Sequence, residues 1–349
     1  MRPLSHLLFA LIAAGSLVVV NGACGDGMSG PDSAVGDDAA VGADAPDGVG
    51  CSPYAARTAV PELFIGPDGL QSKLLTEIGT AQDELLIMMY LITVDAFDDA
   101  IIAAKNRGAD VRVILDFDHP GNTDARAALT AAGVQLRDAP AGFTHAHTKA
   151  MIIDGRAIIM SSNLNYTSMT SERNYGVVDR DPEDVADVRA VFEADWKNDG
   201  SYPNLDCTRL LVSPVNARTR VLEHLNRATE SLDLAVLYAV DDTIRAALIN
   251  RHNAGIAVRV LLADPADFPE NITAAEQLGN AGIEVRFLKS VDLHAKLVLS
   301  DGVPLIGSHN MSYTSLTQNR EIGVAVIEEP VAAATREQFA LDWAAGVSP

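Results

Sequence analysis

The sequence predicts an α/β protein made of two similar α/β/α domains, each a mixed β-sheet flanked by helices. Apolar runs of strand length alternate with segments of helical periodicity along most of the chain. A long stretch of sequence also returns 147 positions further on, so that Trp196 and Trp343, the two tryptophans of the protein, fall in register. A repeat of this length indicates that the chain forms the same architecture twice.

The elements follow from hydrophobic spacing and turn residues. Leu85 to Tyr90 is apolar throughout and predicts a buried strand, whereas Asp95 to Arg107 has helical spacing and ends at Gly108, a typical helix terminator. Further strands of the first half are expected at 62–66, 111–116, 134–137, 157–161 and 175–179, with helices near 70–78, 123–133 and 182–196. Strands of the second half are expected at 210–213, 232–238, 258–262 and 283–288, with helices between them.

The repeat includes a short motif in which His and Lys are two positions apart and Asp follows the Lys by five. Its two copies are His147, Lys149 and Asp154, and His294, Lys296 and Asp301. The residues after each Lys form an apolar run that ends at an Asp-Gly turn and predicts a strand. Residues two apart on a strand point to the same face, so each copy presents an imidazole beside an ammonium group.

Polar side chains follow both copies of the motif in the same register. They are Ser161 and Asn163 in the first half, and Ser308 and Asn310 in the second half. Two such halves face to face would surround one anionic group with two imidazoles, two cations and several hydrogen-bond donors. This set suits phosphoryl transfer on a diester, because fixed cations stabilise the transition state while one His attacks phosphorus and the other protonates the leaving oxygen.

On these residues the chain resembles the phospholipase D superfamily, in which paired His-x-Lys-x4-Asp motifs form one active site between two similar halves. The resemblance implies a phosphohistidine intermediate, no obligatory metal or other cofactor, and hydrolysis or transesterification of a phosphodiester. It also implies that His147 is the nucleophile and His294 the general acid and base. We expect Glu321 to reach across the pseudo-twofold axis and orient His147.

Several site residues have a structural alternative. By resemblance Asp154 and Asp301 belong to the catalytic set, but each precedes Gly at a turn, where Asp bonds its own backbone. Ser161 and Ser308 could likewise be turn residues rather than substrate ligands. The first half has no acid at the place of Glu321, and Glu172 or Asp179 is the candidate substitute.

A metal site is not expected. His145 and the run Asp116-Phe117-Asp118-His119 offer ligand types, but their spacing matches no known zinc or calcium loop.

The N-terminal region predicts export. Residues 1–23 read as a signal peptide. Residues 20–24 look like a bacterial lipoprotein cleavage site, after which Cys24 would be lipidated, and ordinary cleavage near Ala23 is the alternative. Residues 24–52 are rich in Gly, Ala and Asp and predict a disordered linker. The two phospholipase D-like domains are expected at 53–200 and 201–349. In an exported chain a disulfide between Cys51 and Cys207 is plausible, and two buried free thiols are the alternative.

The charge and aromatic content of the chain indicate which class of phosphodiester it acts on. The chain carries 26 Lys and Arg against 47 Asp and Glu, a net charge of −21, and only 5% aromatic residues. Nucleic-acid binding relies on cations and aromatic stacking, so we expect a phospholipid or another small phosphodiester, met at a membrane surface by a monomer with pseudo-twofold symmetry. The leading hypothesis is a phospholipase D that releases the headgroup to give phosphatidic acid, or transfers the phosphatidyl group to an alcohol. An exported metal-independent nuclease and an inactive surface-binding lipoprotein are the alternatives.

Overall fold

The computed structural model describes residues 52–205 and 207–349. The predicted signal peptide, Cys24, Cys51 and nearly all of the predicted linker lie outside the described residues. Cys207 is disulfide-bonded, while its pairing with Cys51 stays a prediction. No helix in the described part of the chain is both long and apolar enough to cross a membrane.

Strands and helices alternate in both halves and follow the predicted order. The first half contains β1 (Glu62–Ile65), α1 (Leu70–Gly79), β2 (Glu84–Met89), α2 (Asp95–Arg107), β3 (Asp110–Leu115), a short 3-10 helix (Pro120–Asn122), α3 (Thr123–Ala131), β4 (Gln135–Asp138), β5 (Lys149–Ile153), β6 (Arg156–Met160), α4 (Tyr166–Thr170), β7 (Glu172–Arg173), β8 (Tyr175–Asp179) and α5 (Pro182–Lys197). The second half contains β9 (Leu210–Ser213), α6 (Ala217–Asn226), β10 (Ser231–Val236), α7 (Asp242–Asn253), β11 (Ala257–Ala263), α8 (Glu270–Asn280), β12 (Glu284–Leu288), β13 (Asp292–Leu293), β14 (Lys296–Ser300), β15 (Val303–Gly307), α9 (Tyr313–Thr317), β16 (Glu321–Ala325) and α10 (Glu329–Ala345).

Among the described residues each half builds one seven-stranded mixed sheet, and the two sheets have equivalent strand orders. The first runs β1-β8-β6-β5-β2-β3-β4 and the second β9-β16-β15-β14-β10-β11-β12. Strands β2, β3 and β4 are parallel, and the remaining neighbours in the first sheet are antiparallel. The predicted α/β class with two pseudo-repeated domains is therefore confirmed, because strand order and strand direction are the same in both halves.

Helix α2 shows how the sequence fixes an element. Phe97, Ile101 and Ala104 are buried at spacings of four and three, so one face of the helix packs on the sheet. Gly108 ends the helix with φ 105°, a left-handed conformation that lets its N–H group reach the carbonyls of Ala104 and Lys105. The predicted bounds of this helix are those observed.

A shared apolar core joins the two halves. Leu86 and Ile152 of the first sheet belong to the same buried cluster as Leu297 and Val324 of the second. Two further apolar clusters include buried residues of α1–α3 and of α6–α8, one in each half. The inner faces of the two sheets thus cover each other, which is why these strands are apolar on both faces.

The halves also exchange backbone hydrogen bonds at two symmetry-related places. In one, β7 of the first half pairs in parallel with β13 of the second. In the other, the Thr144 N–H group donates to the Gln318 carbonyl at 3.0 Å, and the Arg320 N–H group donates to the His145 carbonyl at 2.9 Å. At each place one partner, β13 or residues 144–145, lies immediately before a histidine motif, so both motifs are held by contacts between the halves.

Two equivalent ion pairs reinforce this interface. Arg320 contacts Asp195 of the other half at 2.8 Å, and Arg173 contacts Asp342 at 2.9 Å. The Arg320–Asp195 pair is bidentate and nearly completely buried, so neither charge can be satisfied by water.

We expect Asp195→Ala to lower the free energy of unfolding by about 3–5 kcal/mol, because it leaves the Arg320 guanidinium buried without its counter-charge. Urea denaturation of the purified protein measures this change. Glu329→Ala, which removes the exposed partner of Arg336 in α10, is the control and should cost within about 1 kcal/mol. Equal losses in the two variants would contradict a special role for the interface pair.

Candidate active site

The imidazole of His147 is held by a carboxylate from the second half. Its Nδ1 atom lies 2.9 Å and 3.0 Å from the two carboxylate oxygens of Glu321, the first residue of β16. Glu321 also accepts hydrogen bonds from the Ser315 hydroxyl at 2.6 Å and from the Asn319 amide at 3.3 Å. The structure thus contains the cross-axis contact expected from the sequence, and it fixes the ring so that Nδ1 points away from any substrate at Nε2.

His294 is held in the same way, but by an amide. Its Nδ1 atom lies 3.0 Å from Oδ1 of Asn174, a residue of the first half. The Ser161 hydroxyl donates to the same oxygen at 2.7 Å, and the Asn174 amide donates to Glu172 at 3.2 Å. Because Oδ1 can only accept, His294 carries its proton on Nδ1 and leaves the lone pair of Nε2 free.

The two motif lysines are buried beside these histidines. Lys149 and Lys296 each donate from Nζ to the backbone carbonyl of the His two positions earlier, at 2.8 Å in both copies. The Nζ atom of Lys149 also lies 5.1 Å from the centre of the Tyr90 ring. Two buried ammonium groups within one site create a strong attraction for an anion, because the low local dielectric weakens their screening.

The electrostatics show that the two motifs share one site. Burial, and next the charge of Lys296, lower the pKa of His294 well below its usual value, and the charges of Lys149 and His147 lower it further. Its Nε2 atom is buried and has no hydrogen-bond partner among the described residues. Burial also raises the pKa of Glu321, although His309 and Lys149 oppose this shift. Lys149 and Lys296 thus lower the pKa of His294 together, and an anion bound beside Nε2 would oppose them.

The arrangement can bind one phosphodiester between two imidazoles. One ring has a carboxylate behind it, which stabilises the positive charge that develops when Nε2 bonds to another atom. The other ring contacts a neutral amide, with the Glu172 carboxylate farther away at 3.5 Å, so the corresponding imidazolium is less strongly stabilised and more acidic. The pair therefore offers a supported nucleophile and a ready proton donor.

A family comparison agrees with this geometry. The family model described as "Cardiolipin synthase, PLD-like domain" matches residues 74–196 and again residues 221–343. The chain belongs to this phospholipase D-like family of phosphodiesterases. The two matched segments are separated by the same 147 positions as the motif, so the family domain and the internal repeat coincide.

Two relatives of this phospholipase D-like protein are named for cardiolipin. The mitochondrial cardiolipin hydrolase of Danio rerio is 29% identical over 136 residues, covering 38% of this chain and 60% of the relative. A cardiolipin synthase of Clostridium perfringens is 24% identical over 346 residues, covering 83% of this chain and 71% of the relative. The chain thus spans less than two thirds of the length of the zebrafish protein. The crystal structure of phosphatidylserine synthase from Haemophilus influenzae has the same fold, with a TM-score of 0.66 at 10% identity over 81% of this chain and 88% of that one.

Asp154 and Asp301 do not join the phosphodiester site, so their catalytic assignment is corrected. Each follows a five-residue strand that starts at the motif Lys, which places it about 16 Å along the strand from that Lys. The Asp154 carboxylate accepts the backbone N–H groups of residues 82, 83 and 84, and Asp301 does the same for residues 229, 230 and 231. Both have positive φ and hold a turn in place.

The serines predicted to bind substrate are also engaged within the protein. The Ser161 hydroxyl accepts the Tyr175 N–H group at 3.0 Å besides donating to Asn174, and the Ser308 hydroxyl accepts the Ile322 N–H group at 3.1 Å. These hydroxyls hold the start of β8 and of β16, next to the residues that contact the histidines. The contacts therefore support a structural role for both serines, and substrate binding by them stays a prediction. Asn163 and Asn310 are buried just after them, and their contact with substrate stays a prediction.

The repeat register identifies the residue that contacts His294. Asn174 occupies the position equivalent to Glu321, and it contacts His294 directly. Glu172 stands behind it, 3.5 Å from Nδ1 of His294, whereas Asp179 is paired with Arg57 and takes no part. His309 adds a buried imidazole near Glu321, and burial lowers its pKa to about 4. Nothing in the sequence pattern distinguishes this histidine from a core residue.

We expect Asp301→Ala to reduce stability by about 1–2 kcal/mol, the usual loss when a side chain that caps backbone N–H groups is removed. Those hydrogen bonds lower the pKa of Asp301 to about 2, against burial, so its contribution is present above the unfolded pKa of about 4 and is lost as the pH falls towards 2. Urea denaturation at pH 7 and at pH 2.5 measures both effects. Hydrolysis of bis(p-nitrophenyl) phosphate by the folded variant should stay within about twofold of wild type, and a thousandfold loss would restore a catalytic role.

Proposed function

We propose that this phosphodiesterase cleaves the headgroup ester of a phospholipid through a phosphatidyl-histidine intermediate on His147. The observation that carries the proposal is the buried contact between His147 and Glu321, made across the two halves. A carboxylate in this position holds the proton on Nδ1, directs the lone pair of Nε2 outward and stabilises the ring when it becomes positively charged. Lys149 and Lys296 supply the charge that holds the anionic phosphate.

In the first step Nε2 of His147 attacks phosphorus, and the bond from phosphorus to the headgroup oxygen breaks. The electron pair of that bond goes to the headgroup oxygen, which takes a proton from Nε2 of His294 and departs as an alcohol. His294 needs this proton beforehand, and the bound phosphodiester supplies a negative charge that raises its pKa towards the working pH. The Asn174 amide keeps the His294 ring in place but stabilises its imidazolium form less than a carboxylate would.

In the second step His294 accepts a proton from a water molecule or an alcohol. The oxygen of that molecule attacks phosphorus, the bond between phosphorus and His147 breaks, and its electron pair returns to Nε2. Water gives phosphatidic acid, and an alcohol gives a new phospholipid. The names of the relatives, a cardiolipin hydrolase and a cardiolipin synthase, support these two outcomes equally, so the acceptor is a matter for experiment.

A lipid rather than a nucleic acid is supported by composition and by the relatives. The net charge is −21, and the two site lysines are buried rather than part of an extended basic surface. A long polyanion gains most of its affinity from many exposed Lys and Arg residues along its path. We also propose that the protein is exported and works at a membrane surface, which rests on the sequence of residues 1–24 alone.

The wild-type protein should release headgroup from vesicles of mixed phosphatidylglycerol, phosphatidylethanolamine and phosphatidylcholine in the presence of EDTA. His147→Asn should lower the rate by at least about a thousandfold, since the covalent route is lost. Mass spectrometry of the products, with and without added glycerol, distinguishes hydrolysis from transfer. Plasmid cleavage without any headgroup release would favour the nuclease alternative, and equal inactivity of wild type and variant on both substrates would favour an inactive binding protein.

The same reaction, quenched in alkali within its first turnovers, tests the assignment of the nucleophile. A phosphatidyl group found by peptide mass spectrometry on the segment that contains His147 supports the proposal. The same group found on the segment that contains His294 would reverse the two roles.

We expect Asn174→Asp to shift the alkaline limb of the kcat/KM profile to higher pH by about one to two units. The new carboxylate would lie against Nδ1 of His294 and raise its depressed pKa, so the protonated acid would persist to higher pH. Asn198→Asp, which adds the same charge at the end of α5, is the control and should leave the profile unchanged. An unchanged limb in Asn174→Asp would mean that His294 does not supply the proton in the first step.

A further inference from the structure

A cluster of metal-ligating side chains lies beside the site and is not used by the proposed reaction. Asp116 and Asp118 follow the end of β3, and His145 precedes the first motif. One ligand atom from each of these residues lies within 4.8 Å of the others. The cluster ranges from the fully buried Asp116 through the partly exposed His145 to the exposed Asp118, so it is open to solvent on one side.

The charge of Asp116 is not balanced by a cation of the protein. No Lys or Arg in residues 52–205 and 207–349 forms an ion pair with Asp116 or with Asp118. Arg126 donates to the backbone carbonyl of Asp116, and its side chain pairs with Asp138. Buried charges in proteins are usually paired or coordinate a metal, and two ionised carboxylates this close repel each other unless a proton or a cation lies between them.

The backbone of His145 is held by two hydrogen bonds to the second half. Its backbone N–H group donates to the Asn319 side-chain oxygen at 3.1 Å, and its backbone carbonyl accepts from the Arg320 N–H group at 2.9 Å. The neighbouring Ala146 N–H group donates to Asp116 at 2.8 Å, which ties the histidine segment to the end of β3. Nδ1 of His145 is nevertheless buried and has no hydrogen-bond partner in the described part of the chain. A buried ring nitrogen without a partner is costly unless a ligand satisfies it.

The second half shows that the fold does not need this cluster. The positions equivalent to Asp116, Asp118 and His145 are Ala263, Pro265 and Asp292. Strand β11 ends at Ala263, the equivalent of Asp116, and the second motif forms in the same way. The hydrogen bonds of Asp116 to the N–H groups of residues 118, 119 and 146 therefore have no counterpart in the second half, where the side chain is that of Ala263.

We propose that Asp116, Asp118 and His145 bind one divalent transition-metal ion, such as Zn²⁺ or Mn²⁺. An imidazole nitrogen together with two carboxylate oxygens is a ligand set that these ions favour, and the remaining positions would be filled by water. The Tyr90 ring contacts both His145 and His147, with ring centres 6.0 Å and 4.7 Å away, so the ion sits next to the nucleophile. The bound ion would hold the segment that carries His147 and would take no part in the two-step reaction. This proposal therefore does not depend on the proposed function.

Tag-free protein, dialysed against EDTA and then against buffer, is titrated with ZnCl₂ and separately with MnCl₂. Calorimetry, with metal analysis after gel filtration, should give one ion per chain, and the thermal midpoint should rise as metal is added. Asp118→Asn, an exposed substitution that leaves the backbone turn intact, should weaken binding at least about tenfold and remove the thermal shift. His145→Gln should do the same.

Asp264→Asn is the matched control, because Asp264 is an acidic residue just after β11 in the second half and has no His beside it. It should bind metal as the wild type does. Failure of the wild-type protein to bind either ion at 1:1 would overturn the proposal, as would unchanged binding in Asp118→Asn and His145→Gln.

Discussion

The contact between His147 and Glu321 is the constraint on which the site depends. A buried carboxylate and a buried imidazole each lose water on folding, and their mutual contact offsets part of that loss for both. Because one comes from each half, the site exists only when the halves are docked. The same holds for His294 and Asn174, so both reacting side chains take their orientation from residues on the opposite side of the pseudo-twofold axis.

The rest of the interface explains how these contacts stay in register. The segments before each motif pair with the opposite half, and Arg173 and Arg320 anchor to Asp342 and Asp195 within the shared apolar core. A shift of one residue in either pairing would turn the residue behind each histidine to the other face of its strand. Apolar packing therefore supplies the stability of the interface, and the buried polar pairs supply its specificity.

From the sequence alone, the features that could be predicted are those set by hydrophobic periodicity, by turn residues and by the internal repeat. The strand and helix order and the bounds of α2 follow from periodicity and from the repeat, whereas the meeting of the two His-Lys pairs was implied by the resemblance to the phospholipase D superfamily. The sequence leaves both a catalytic role and a turn role open for Asp154 and Asp301, because a motif in one dimension does not show that a five-residue strand separates each Asp from its Lys by about 16 Å. It offers Asp118 and His145 as ligand types but predicts no metal site, since spacing along the chain does not show that side chains 27 positions apart meet beside β2, which lies between β3 and β5.

Because both motif copies lie in one chain, the residues behind the two histidines can differ, which is impossible in a symmetric dimer of identical chains. In a symmetric dimer both histidines would have the same partner, so nucleophile and acid could differ only through the substrate. Here one copy has Glu321 and the other Asn174, one has His309 and the other Ser162, and one has the Asp116 cluster where the other has Ala263. The symmetric scaffold brings the two imidazoles within electrostatic reach of each other, while the unequal residues behind them make the two rings differ before any substrate binds.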